Sequence, residues 1–118
     1  MNSIIESKSK KFAVRIINLY KYLVSEKKEY VMSRQILKSG TSIGANVKEG
    51  EYGQSVADFI SKMSIALKEA AETSYWLELL KETDYITQEQ FESINSDCTE
   101  LIKILTSIIK PKNPTINY

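Results

Sequence analysis

The chain has 118 residues, of which 42% are hydrophobic and 26% charged, and its formal net charge is +1. These proportions are ordinary for one soluble domain and too apolar for a disordered chain. The absence of His and the single Cys98 exclude His-dependent nucleophilic catalysis, His-ligated zinc, multi-cysteine metal sites and an internal disulfide. No apolar run is long enough for a membrane span, and the N-terminus lacks the apolar core of a signal peptide. We therefore expect a cytoplasmic, non-enzymatic protein with no metal and no cofactor.

Charge is divided unevenly along the chain. Residues 1–40 carry nine basic and three acidic side chains, residues 41–100 carry four and twelve, and residues 101–118 carry three lysines and no acid. The three segments therefore have net charges of +6, −8 and +3. Such asymmetry can mark a surface for an anionic partner. It would equally arise if oppositely charged helices lay side by side in the fold, and both interpretations stay open.

The first predicted helix covers residues 3–25. Phe12, Ile16, Leu19 and Leu23 follow steps of four and three, and a second apolar strip follows the same steps one residue further along the chain. This apolar face is wider than one helical seam needs, which predicts contact with another subunit. A further face of the same helix groups basic and polar side chains: Lys8, Lys11, Arg15, Asn18 and Tyr22.

The second predicted helix covers residues 33–50, with Ser33 as its N-cap and Gly50 as its stop. Its interior contains Gly40 and Gly44, each of which costs about 1 kcal/mol relative to Ala inside a helix. We expect the two glycines to permit close approach by a neighbouring helix. A break at the glycines into two short helices is the alternative.

The third predicted helix, residues 55–83, has the longest periodic pattern. A sustained spacing of 3.5 residues predicts the seam of a left-handed supercoiled bundle. The residues of this predicted seam are Val56, Ile60, Met63, Leu67, Ala70, Ser74 and Leu77.

The fourth predicted helix covers residues 87–110. Thr87 and Gln90 have the spacing of a capping box, and Pro111 ends the helix before a tail at residues 111–118. Four helices with short connections predict an all-α fold, an up-down-up-down antiparallel four-helix bundle, as a single domain over residues 1–118.

Few side chains are arranged for chemistry. Metal sites in helical bundles usually need Glu-x-x-His pairs, which this chain cannot supply. We expect instead a set of polar contacts between the second and third helices. Its members are Asn46, Glu49, Glu69 and Glu72. Cys98 lies on the apolar stripe of the fourth helix and is predicted to be a small buried hydrophobe, not a reactive thiol.

The basic side chains of the first two helices are the stronger functional signal. Like charges one turn apart repel, so they destabilise a helix unless an anion or an acidic helix lies nearby. A nucleic-acid backbone is one such anion. The nearby Tyr20, Tyr22 and Tyr30 could stack on bases or line a subunit contact. The predicted nucleic-acid-binding residues are Lys8, Lys11, Arg15, Lys21, Arg34 and Lys38. An acidic protein received by the same face is the alternative partner.

Three segments carry a recognisable pattern: SRQILKSGTSIGANVKEG at residues 33–50, SVADFISKMSIALKEA at 55–70 and ETSYWLELL at 72–80. Over roughly residues 10–108 the chain resembles the bacterial 23S rRNA intervening-sequence proteins, a family related to the accessory variability determinant of diversity-generating retroelements. The resemblance implies a bundle that assembles into a ring-like homopentamer and binds RNA or DNA. In the retroelement branch it implies a reverse-transcriptase partner. It implies no catalytic residue.

Overall fold

The computed structural model describes residues 3–110, which form four helices joined by short turns. The helices are α1 (Ser3–Ser25), α2 (Met32–Gly50), α3 (Val56–Glu82) and α4 (Gln88–Ile109). Each boundary lies within one residue of the prediction. The predicted tail, residues 111–118, lies outside the described residues.

Each helix packs antiparallel against the next, and α4 returns to pack against α1 along the least extensive of the four seams. The predicted all-α, up-down-up-down four-helix bundle is confirmed. A single chain does not test the predicted ring-like homopentamer. Among the described helices, none is both long and apolar enough to cross a membrane.

The core follows directly from the helical spacing of large apolar side chains. In α1, Phe12, Ile16 and Leu23 are at most 1% exposed, and they meet Ile36 and Ile43 of α2, which are fully buried. Burying a side chain of this size stabilises a fold by roughly 1.5–3 kcal/mol. Leu19 lies at the edge of this cluster, where it is partly exposed.

The α1–α2 seam depends on two glycines. A Cβ atom built on Gly40 would lie 2.7 Å from Ile16 Cγ1, and one built on Gly44 would lie 3.4 Å from the Ser9 carbonyl oxygen. The α2 backbone at Gly40 therefore lies closer to the Ile16 side chain than a side chain on residue 40 would allow. Because α2 continues without interruption through both glycines, the alternative of two short helices is wrong.

The buried face of α3 is not the predicted one. The helix is rotated about its own axis, so that a neighbouring strip of residues faces the core. The buried residues are Met63, Ala66, Ala70, Thr73, Leu77 and Leu80. Only Met63, Ala70 and Leu77 were in the predicted set, and Val56 in the first turn is 79% exposed. Small side chains face the neighbouring α2, so that the buried hydroxyl oxygens of Thr73 and Ser39 lie 2.9 Å apart. Leu67 and Ser74 consequently lie half-buried at the edges of the seam.

The start of α2 is also different from the prediction, because Ser33 is not its N-cap. Glu29 fills that role from the preceding turn, accepting hydrogen bonds from the backbone N–H groups of Val31, Met32 and Ser33 at 3.1, 2.9 and 2.7 Å. Ser33 donates its hydroxyl to the Glu29 carbonyl oxygen instead. The capping box predicted at the start of α4, between Thr87 and Gln90, is confirmed.

Candidate nucleic-acid interface

The two helical hairpins carry opposite charges. Residues 3–50, which contain α1 and α2, hold ten basic and four acidic side chains, a net charge of +6. Residues 51–110, which contain α3 and α4, hold five basic and eleven acidic side chains, a net charge of −6. The bundle is therefore a basic half packed against an acidic half, and the two charges cancel in the sum over residues 3–110.

Part of the predicted basic face is neutralised where the two halves meet. Arg15 Nη1 lies 2.8 Å from Asp97 Oδ2, and the same guanidinium donates to the carbonyl and hydroxyl oxygens of Ser93. Lys8 Nζ lies 3.2 Å from Glu100 Oε2. Along this edge the bundle does place oppositely charged helices side by side. Lys11 is exposed and lines the same edge beside these two carboxylates.

The other predicted cations form no ion pair with the acidic half among the described residues, although the charge of Lys38 is felt by Glu69 of α3. Lys21, Arg34 and Lys38 are exposed, and within residues 3–110 no carboxylate oxygen lies within 4.0 Å of their charged nitrogens. Because α1 and α2 are antiparallel, the last turns of α1 and the first turns of α2 lie at the same end of the bundle. The three cations therefore belong to one end of the basic hairpin.

The turn between α1 and α2 adds positive charge to this end. Glu29 is only 7% exposed, because its carboxylate is turned inward onto the first N–H groups of α2. Burial alone would raise the pKa of Glu29, but the three backbone hydrogen bonds outweigh it and hold the pKa below its ordinary value. Lys27 and Lys28 remain exposed on the surface of the turn.

The three tyrosines near the predicted cations differ in their surroundings. Tyr20 and Tyr22 are half-buried, and Lys27 Nζ lies 5.9 Å from the centre of the Tyr22 ring. Tyr30 lies in the turn and is 49% exposed, beside Val31, which is 66% exposed. Of these three aromatic rings, Tyr30 is the most available to a ligand.

The predicted polar set between α2 and α3 is only partly brought together. Glu49 pairs with Lys62 of α3 at 2.8 Å. Asn46 donates to Ser42 O in its own helix, and Glu72 accepts from Trp76 Nε1 in its own helix.

Glu69 is the fourth member of that set. Partial burial and the neighbouring Glu72 raise its pKa, while Lys38 of α2 acts in the opposite direction. Glu69 therefore interacts with α2 through the positive charge of Lys38.

Cys98 is fully buried, and its thiol donates to the Ala70 carbonyl oxygen at 3.2 Å. Burial raises its pKa to about 12, which keeps it protonated and unreactive. Within the described part of the chain, no group of three or more Cys, Asp or Glu side chains could hold a metal ion.

Sequence reasoning assigned no role to Lys27, Lys28 or Glu29. The adjacent lysines between the first two predicted helices are visible in the sequence, but the inward orientation of the Glu29 side chain depends on the backbone of the turn. Lys28 has a φ of 54°, in the left-handed region, where the chain reverses between α1 and α2.

Comparison with known proteins identifies a family and a solved structure to which this chain is similar. Residues 1–107 match the family described as 23S rRNA-intervening sequence protein. Among solved structures, a protein of unknown function from the S23 ribosomal protein family of Bacteroides thetaiotaomicron is 67% identical, with a TM-score of 0.90 over 91% of this chain and 99% of that one. No curated protein matches the chain.

Proposed function

The chain belongs to the 23S rRNA-intervening sequence protein family, and from that premise and its charge distribution we propose that it is a non-enzymatic protein that binds nucleic acid through the α1–α2 hairpin. The observation that carries the proposal is the +6 charge of this hairpin, with cations at one end that have no carboxylate oxygen within 4.0 Å among residues 3–110. The family's description refers to an intervening sequence of 23S rRNA, so RNA is the polyanion to test first.

The six predicted cations contribute unequally to this binding. Lys21, Arg34 and Lys38 contact phosphates directly, since no ion pair has to be broken first. Arg15 and Lys8 must first leave Asp97 and Glu100, so each gains less from a phosphate. Lys11 lies beside the same two carboxylates, which repel an incoming phosphate.

A salt series tests the proposal. Binding of a labelled RNA oligonucleotide should weaken linearly on a log–log plot, with a slope of about −0.7 for each phosphate neutralised on a single strand. The double variant Arg34→Glu/Lys38→Glu should lower affinity about tenfold or more at low salt. Its matched control is Lys68→Glu/Lys103→Glu, which changes the net charge equally on exposed sites of the acidic hairpin. Equal losses in the two double variants, or no binding at low salt, would refute the proposed surface.

Self-association accompanies the proposed binding. A basic half and an acidic half on one chain favour contact between unlike halves of successive copies, which closes into a ring when the rotation permits. The exposed apolar side chains of Val14 and Ile17 on α1 would be covered in such a contact. We propose a ring-like homopentamer, whose mass in sedimentation velocity should be about five times the 13.5 kDa of one chain. A chain that stays monomeric at all concentrations would refute it.

A protein partner is the second candidate, in which the chain is a scaffold or an accessory subunit, for example of a reverse transcriptase. The favouring observation is that Arg15 and Lys8 already bind protein carboxylates, so this face can accept an acidic protein. Affinity capture from native cells with and without nuclease separates the candidates. Partners that survive nuclease support the scaffold, and their loss supports nucleic-acid binding.

A further inference from the structure

We propose that the α1–α2 turn binds an unpaired base of single-stranded nucleic acid, with Tyr30 as the stacking platform and the surrounding cations on the flanking phosphates. The inference rests on the proposed function and narrows it to a substrate class and a contact point. We call this region the turn surface, and it consists of Lys21, Lys27, Lys28, Tyr30, Val31 and Arg34.

The turn surface combines an exposed ring with exposed positive charge. Four basic side chains lie between residues 21 and 34, against two acidic ones. One of the acids, Glu29, is turned into the fold, where its carboxylate accepts hydrogen bonds from three backbone N–H groups. The remaining acid, Glu26, is exposed and is outnumbered by the four exposed cations, so the local field favours a phosphate chain.

Tyr30 differs from the other exposed aromatic side chains in its surroundings. Within residues 3–110, the exposed aromatic rings are those of Tyr30, Tyr52 and Tyr75. Tyr75 packs edge-on against Trp76, with ring centres 5.3 Å apart, on the acidic hairpin. Tyr52 lies in the turn that follows α2, where Lys48 and Lys62 are offset by nearby acidic side chains, among them Glu49 and Asp58. Of these three exposed rings, Tyr30 is the one that belongs to a segment of net positive charge, since four cations lie between residues 21 and 34 against two acids.

This combination favours a single strand over a duplex. An aromatic side chain on a protein surface gains stacking energy only from a base that has left its own stack, at about 1–3 kcal/mol per base. The bases of a regular duplex present no free face, so a duplex would contact only the cations. The exposed Val31 beside the ring offers an apolar surface for the sugar of the stacked nucleotide.

The acidic hairpin orients the strand. The α3–α4 turn lies at the same end of the bundle and presents exposed Glu82, Asp84 and Glu89. Phosphates are repelled from that half, so the strand runs from the turn surface along α1 and α2, past Lys21, Arg34 and Lys38, and does not cross the end of the bundle.

The test uses two probes, a twelve-residue oligothymidylate and an abasic strand with the same number of phosphates, with binding followed by fluorescence anisotropy at low salt. The full-length chain should bind oligothymidylate about 5- to 20-fold more tightly than the abasic strand, because only the former can stack. Tyr30→Ala should abolish that preference and leave abasic binding within about twofold, since no phosphate contact is lost. Tyr30→Phe should retain the preference, and Tyr75→Ala serves as the control for loss of an exposed tyrosine.

The outcomes separate the inference from the proposed function. Equal binding of the two probes by the unmodified chain would overturn the stacking site but leave phosphate binding intact. A preference that survives Tyr30→Ala, or falls equally with Tyr75→Ala, would overturn the assignment to Tyr30. An acidic-protein site would bind neither probe, and that result would overturn the inference; the proposed function falls as well if the labelled RNA oligonucleotide also fails to bind.

Discussion

Gly40 lies directly against Ile16, close enough that a methyl group on Gly40 would overlap Ile16 Cγ1 at 2.7 Å. Ile16 is fully buried. Gly40 lies on the same face of α2 as the buried Ile36 and Ile43, because helical residues three or four positions apart lie on one side of the helix. The contact sets the separation of α1 and α2 near the middle of both helices. It thereby holds the basic hairpin together as one rigid surface.

Gly40→Ala is expected to destabilise the bundle by up to about 2 kcal/mol. Overpacking a core typically costs about 1–3 kcal/mol, and replacing a helical glycine returns about 1 kcal/mol. Urea unfolding followed by circular dichroism measures the difference. Gly44→Ala is the matched control, because its new methyl would meet Ser9 O at an ordinary 3.4 Å. That variant should be neutral or more stable by up to about 1 kcal/mol, and an equal loss in both variants would contradict the role given to Ile16.

Glu29 is expected to make the start of α2 sensitive to acid. The folded pKa is lowered relative to the unfolded chain, so the carboxylate stabilises the fold above the unfolded value of about 4.3. This contribution is lost as the pH falls below that value and through the folded pKa. At pH near 6, Glu29→Gln should cost about 1–2 kcal/mol, comparable to the loss of a helix cap, and the cost should shrink in acid.

The control for Glu29 is Glu26→Gln, which removes an exposed carboxylate three residues earlier in the same turn. Its unfolding free energy should stay within about 0.5 kcal/mol of the unmodified chain at every pH. If the difference between the unmodified chain and Glu29→Gln does not change with pH, the carboxylate is not the cap.

The parts of the fold that sequence could predict are those set by residues close together along the chain. The spacing of Phe12, Ile16 and Leu23 determines the buried face of α1, and Thr87 and Gln90 close a capping box within one turn. The prediction of Ser33 as the cap of α2 was wrong because the Glu29 carboxylate caps the helix instead. Glu29 can reach the first N–H groups of α2 because Lys28 adopts a left-handed backbone conformation, which the sequence does not reveal. In α3, small and apolar residues occupy two adjacent strips, so periodicity alone could not fix which strip faces inward.

The candidate site was harder to predict than the fold, because its charges are paired across the bundle. Arg15 and Asp97 are 82 positions apart, and they meet only because α4 returns to α1. Periodicity placed Arg15 on a basic stripe with Lys8 and Lys11 but could not show that this stripe faces acidic side chains of α4. By contrast, Lys21, Arg34 and Lys38 are exposed on the α1–α2 hairpin, and the net positive charge of that part of the sequence was enough to predict them.

The thiol of Cys98 is expected to be unreactive in the folded protein. Its buried thiol has a pKa of about 12 and donates to Ala70 O, so almost no thiolate is present near neutral pH. An aromatic disulfide reagent should therefore react at the rate of global unfolding, and rapidly once guanidinium chloride has unfolded the chain. Fast reaction of one thiol per native chain would show that α4 separates readily from α3.

Asp97→Asn is expected to strengthen RNA binding, because it releases Arg15 for a phosphate. The pair is 41% and 45% exposed, so its loss should lower the unfolding free energy by less than about 1 kcal/mol. Affinity at low salt should rise several-fold, and the gain should shrink as salt is added. Glu78→Gln makes the same charge change at an exposed site of the acidic hairpin, so it measures the effect of net charge alone. A larger gain in affinity for Asp97→Asn than for Glu78→Gln supports binding of RNA by Arg15 once its carboxylate partner is removed. Equal gains would mean that Arg15 stays bound to Ser93 when RNA is present.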